Sequence, residues 1–162
     1  MIFQEIKILG KYFSVLLIII VFVRCQNKHN NRIHDNLAQK LSMADSLGSS
    51  DPETARNIYT EIISDESDDN RAFQAEALLG LSVVLTNSSK FDSALLFIEK
   101  AGQIAHELND TLLLMKYYNS RGDFFHRKEN FEETEKCFSN GLHLAELTGN
   151  EPNRHTFLLN LG

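Results

Sequence analysis

The chain predicts an all-α fold, a stack of helical hairpins, from three observations. Apolar residues recur at three- and four-residue spacings, as in Ala75, Leu78, Leu79, Leu81 and Leu85, which is the stripe of an amphipathic helix. The pattern then returns. Ser82, Phe91, Ala94, Ile98 and Ala101 are matched forty residues on by Gly122, Phe131, Thr134, Phe138 and Gly141, and the breaks Asn70, Asp110 and Asn150 keep that step. Finally, the 162 residues hold two prolines, eight glycines and no tryptophan, a composition suited to long uninterrupted helices. A fixed period of this size indicates stacked repeats.

The elements follow in order. Residues 1–35 are read as a targeting or anchoring segment with a polar tether, and residues 36–162 as the solenoid, with units at about 36–70, 71–110 and 111–150 and a partial one at 151–162. In the first unit Leu37, Leu41, Ala44 and Leu47 make a weak first helix, and Asp51-Pro52-Glu53 opens the second, with proline where a helix starts. Ala55, Ile58, Tyr59 and Ile62 of that helix match Ala94, Phe97, Ile98 and Ala101 at a step of thirty-nine. In the second unit Thr86-Asn87-Ser88-Ser89 ends the first stripe, and Ser89-Lys90-Phe91-Asp92 is read as a capping box before the stripe Ala94, Phe97, Ile98, Ala101. In the third unit Asn130-Phe131-Glu132-Glu133 is the equivalent cap, its acids favourably placed at a helix N-terminus. Gly162 falls in the middle of a first helix. The expectation is therefore a truncated piece of a longer solenoid, or a frame that ends early, with Phe157, Leu158 and Leu161 short of packing partners on an apolar end face.

The head differs from the body. Formal charge is −6 over the whole chain, yet residues 1–35 carry +3 and the remainder −9. Tyr12–Val23 (YFSVLLIIIVFV) is an uncharged run flanked by Lys7, Lys11, Arg24 and Lys28. As a helix it would rise about 18 Å against a hydrocarbon core of roughly 30 Å, a length suited to a signal-peptide core. Cys25 directly follows, where a bacterial lipoprotein carries its lipidated cysteine, but Arg24 occupies the place of the usual small residue. Two readings lead, lipidation at Cys25 and an uncleaved N-terminal hydrophobic helix, with a buried helix of a cytosolic protein well behind. On either leading reading the expectation is a membrane-associated protein, exported to the cell envelope. Basic residues on both flanks leave its orientation open.

Here the residues resemble the tetratricopeptide repeat (TPR) family. The third unit carries its pattern as Tyr118, Gly122, Phe125, Phe131, Phe138 and Gly141, the second as Leu78, Leu81, Ser82, Leu85, Phe91, Ala94, Ile98 and Ala101. Small residues let paired helices approach while aromatics fill the gap to the next repeat. Departures are Arg121 for the usual leucine, Thr134 for the second-helix alanine, and a period of forty rather than thirty-four. The resemblance implies a right-handed solenoid whose first helices line a concave surface. On that surface Glu76, Leu79, Val83 and Thr86 from the second unit, with Lys116, Asn119, Asp123 and His126 from the third, are the candidate groove residues. The alternative is that they form only the solvated side of amphipathic helices. The basic clamp that some relatives use for C-terminal carboxylates is not reproduced.

No catalytic constellation emerges. The six histidines show no H-E-x-x-H and no i,i+4 pair for zinc. Cys137 reads as a small buried thiol, His126 and Arg127 as solvated, and the acids around Asp65–Asp69 and Glu132–Glu135 lack the calcium-loop spacing. No phosphate-cradling glycine loop is present, and a pI near 5.5 disfavours nucleic acid. The expectation is a membrane-tethered, non-enzymatic scaffold without cofactor or metal, binding a protein or peptide ligand. The alternative is the sensory or oligomerising part of a bacterial transcriptional regulator or histidine kinase.

Overall fold

The computed structural model describes Arg24, residues 31–65 and residues 67–162. Tyr12–Val23, Cys25 and Glu66 lie outside the described residues, and with them the readings of anchor, signal and lipidation. Nearly all described residues belong to one compact unit, Ala38–Gly162.

Among the described residues the fold is all-α, without strands. Its helices are α1 (31–47), α2 (Pro52–Ile63), α3 (Arg71–Asn87), α4 (Phe91–Leu108), α5 (Thr111–Arg127), α6 (Phe131–Thr148) and α7 (Glu151–Leu161), with a single 3₁₀ turn at Asp68–Asn70. The boundaries of α3 and α4 recur forty residues later in α5 and α6, and the start of α5 recurs in α7.

Side-chain caps explain most of the helix starts. Asp51 accepts from the Thr54 N–H at 3.1 Å, Asp110 from Leu113 at 3.0 Å, Asn130 from Glu133 at 3.3 Å and Asn150 from Asn153 at 3.2 Å. Each satisfies a donor the helix cannot. Thr54 also holds the Asp51 carboxyl below its ordinary range. The capping box expected at Ser89 does not form. Lys90 is the N-cap residue of α4 and caps with no side-chain bond, because Ser89 sits at φ 59° and closes the turn before it. Glu129, forty residues on, repeats that conformation at φ 57°. The loops between units match as well, with Asn109 at φ 50° and Gly149 at φ 64°. In each, the next N–H donates back to a carbonyl five residues earlier, Asp110 to Ala105 at 3.1 Å and Asn150 to Ala145 at 2.8 Å, the Schellman arrangement.

From α2 onward each helix packs on the next, and α3 also packs on α5. The first helices of the second and third units therefore lie side by side, an arrangement compatible with a helical solenoid. Covered by α2, α4 and α5, α3 buries residues on nearly every side, including Ala77, Leu78, Leu79 and Leu81. One core cluster joins α3, α4 and α5 through Leu78, Leu79, Ala101, Ala105, Leu113 and Leu114. A second joins α5, α6 and α7 through Met115, Phe138, Ala145 and Phe157. Two glycines make room for it: a Cβ on Gly122 would stand 2.3 Å from the Phe138 ring, and one on Gly141 2.2 Å from the Phe157 ring.

Two packing expectations need correction. Phe157 is 1% exposed, held against Gly141 and Phe138, although Leu158 and Leu161 are exposed. Conversely, Phe131 is 64% exposed, with the His126 ring edge-on at 6.0 Å. Its equivalent Phe91 has the Phe124 ring at 6.1 Å and the Lys128 ammonium 4.6 Å from its centroid.

Candidate functional site

The site grows from one face of the first helices. Residues three and four apart on a helix share a face, and α1, α3, α5 and α7 each turn such a strip to the same side. Between them lies a cavity of about 310 Å³ lined by Leu41 and Asp45 (α1), Glu76, Leu79, Gly80 and Val83 (α3), Met115, Lys116, Asn119 and Ser120 (α5), and Asn153 and Thr156 (α7). A second cavity of about 490 Å³ is lined by Ser82, Val83, Thr86 and Asn87 of α3 and Ser120, Asp123, Phe124, His126 and Arg127 of α5. Val83 and Ser120 belong to both, so the cavities adjoin.

All eight groove residues expected from the sequence line one of these cavities. Glu76, Leu79, Lys116 and Asn119 line the first; Thr86, Asp123 and His126 line the second; Val83 lines both. They differ in what they offer. Leu79 is buried and forms floor. The Thr86 hydroxyl is committed, donating to the Ser82 carbonyl at 2.8 Å. Lys116 pairs with Glu76 at 2.9 Å, joining neighbouring units across the groove. Asn119 donates to Asp123 at 3.2 Å and accepts from Asn160 at 3.0 Å, a short polar relay from α7 into the groove.

The remaining charged lining residues set the electrostatics. Asp45 accepts from the Tyr59 hydroxyl at 2.7 Å; burial, then that bond, pushes the phenol well above its usual range. The cavity walls push the Asp123 carboxyl above the ordinary range, against the opposing pull of Arg127 and then His126.

Beside the groove, Arg121 organises a second polar cluster. It bonds Glu99 of α4 at 2.9 Å, Glu133 of α6 at 3.1 Å and the Cys137 sulfur at 3.1 Å, and lies 4.8 Å from the Phe125 ring centroid. Burial works against its charge, but the Glu99 bond and the Cys137 sulfur raise its affinity for the proton. Tyr117 adds a bond to Glu99 at 3.2 Å. Cys137 is fully buried, and burial, opposed by Arg121, pushes its thiol up. A guanidinium that in sequence departs from the repeat pattern thus ties three helices together.

Among the described residues no group of three His, Cys, Asp or Glu side chains could hold a metal ion, and no helix is long and apolar enough to cross a membrane. Sequence reasoning missed the contributions of α1 and α7, namely Leu41, Asp45, Asn153 and Thr156, and missed Ser120 and Asn87. Nothing local marks them, since groove membership depends on which helices become neighbours. Compared with known proteins, the chain matches no family model, no curated protein and no solved structure.

Proposed function

We propose that the protein is a peptide-binding scaffold, a TPR-like right-handed stack that holds a segment of another protein along its first helices. In this reading the chain binds and performs no chemistry. The greasy, basic residues 1–35 tether it to a membrane, as an N-terminal anchor or through lipid on Cys25.

The observation that supports it most directly is the sharing of one groove by four helices more than a hundred residues apart in sequence, from Asp45 to Asn153. An apolar floor of Leu79 and Met115 under a rim of amides and paired charges suits a peptide, which needs both burial and hydrogen bonds. Val83, 46% exposed where the cavities meet, is the natural test position.

Peptides selected from a random display library against the full chain are expected to lose at least tenfold in affinity for Val83→Arg, with its circular dichroism unchanged. Peptides indifferent to Val83→Arg and displaced instead by changes on the outer helices would overturn the groove reading.

A further inference from the structure

The charges lining the groove are unevenly satisfied. Of its three carboxylates and two permanent cations, Glu76 and Lys116 cancel one another at 2.9 Å. The other two carboxylates accept hydrogen bonds from neutral donors, Asp45 from Tyr59 and Asp123 from Asn119. No ion pair involving either is found among the described residues. They stand in different cavities, Asp45 in the first and Asp123 in the second. The surrounding body reinforces them with a formal charge of −9 over residues 36–162, a field that draws cations toward a cleft and repels anions.

Resting on the reading of this groove as a peptide site, we propose that its occupant is a basic segment. Two Lys or Arg side chains would seat their ammonium or guanidinium groups against Asp45 and Asp123, while intervening apolar side chains cover Val83 and Leu79. An acidic segment would face both carboxylates, and the one permanent cation outside an ion pair, Arg127, is already drawn toward Asp123, as His126 is.

The folding cost of Asp123 points the same way. Its carboxyl holds a proton more tightly folded than unfolded, so ionising it works against the fold at neutral pH. A residue that weakens the fold yet offers charge to a cavity is a candidate for recognition.

The test uses the full-length chain and three fluorescein-labelled twelve-residue peptides, alternating Leu-Ser with Lys, Gln or Glu at every third position, read by anisotropy. The Lys peptide is expected to bind at least tenfold more tightly than the Glu peptide. The double variant Asp45→Asn/Asp123→Asn should lose about tenfold for the Lys peptide and little for the Gln peptide. Asp123→Asn alone should melt no lower than the parent. Glu135→Gln, the loss of one charge at an exposed site outside the groove, should leave the binding of all three peptides unchanged. Equal binding of Lys and Glu peptides, or a Lys preference that survives the double variant, would overturn the basic-segment proposal. If the Gln or Glu peptide still binds and loses affinity in Val83→Arg, the groove reading survives that failure. If no peptide responds to Val83→Arg, both fall.

Discussion

The second and third units, Arg71–Asp110 and Thr111–Asn150, share helix boundaries and loop angles at a step of forty, yet fill the same places with different side chains. The third unit sets Gly122 against Phe138, and the equivalent places of the second hold Ser82 and Ile98, both buried. Ser82 is 1% exposed, its hydroxyl donating to the Leu79 carbonyl at 2.6 Å. Gly122 yields that room to an aromatic ring instead. What the repeat keeps is the summed volume of a facing pair, not either member. The inter-unit contact shifts similarly. The Tyr117 ring packs on Gly102 and its hydroxyl reaches Glu99, whereas Phe157, having no hydroxyl, packs on Gly141.

The largest expected effect breaks that compensation. Gly122→Ser should cost about 1–3 kcal/mol through overpacking, and Phe138→Ile about 1–3 kcal/mol through a cavity. The double change, which gives the third unit the second unit's pair, should cost at least 1 kcal/mol less than their sum in urea unfolding. Additive costs would show that the pairs are not interchangeable.

The polar cluster of the third unit comes next. The second unit has Leu81 where the third has Arg121, and Arg121→Leu should cost about 1–2 kcal/mol at low salt and less at high salt, because exposed Glu99 is only partly desolvated. Unchanged thermal stability would reduce the Arg121 bonds to ornament.

Caps allow a smaller, two-way exchange. Asn130→Ala should lose about 1 kcal/mol, while Lys90→Asn, which supplies the cap the second unit lacks, should gain several tenths. In the loops, Glu129→Gly should raise stability by about 0.5–1 kcal/mol, since glycine carries no side-chain penalty at positive φ, and Gly149→Ala should lower it comparably.

The smallest effect is a contrast in pH. Lys136 and Arg121 together outweigh desolvation and hold the Glu133 carboxyl below its ordinary range; its contribution is present above the unfolded pKa and lost as the pH falls through the lower folded one. The Asp123 carboxyl, raised, works in the opposite sense: its unfavourable contribution disappears on acidification. Relative to the parent, Asp123→Asn should therefore gain least near pH 4 and most near pH 7, and Glu133→Gln should lose most near pH 7.

How much of this the sequence displayed depends on distance along the chain. The period, the helix pairs and the strips of α3 and α5 were legible because they rest on spacings of three, four and forty. The cap at Ser89 was misread because a serine serves equally at an N-cap or at positive φ in a turn, and only the closure of the preceding hairpin decides. Arg121 looked like a charge in an apolar slot because Glu99 and Glu133 lie on other helices. Asp45 and Asn153 were invisible as groove residues for the same reason: no local pattern reports that segments so far apart will face one another.

The direct packing of α3 on α5, with a cleft whose walls come from every unit, has a mechanical consequence. A stack joined only between neighbours frays from its ends, each layer opening nearly independently. A guest lying across α1, α3, α5 and α7 would be released when any one of them let go, so its affinity becomes a penalty on partial opening. The bound protein should then melt as one cooperative body, and amide protection should rise most in the outermost helices.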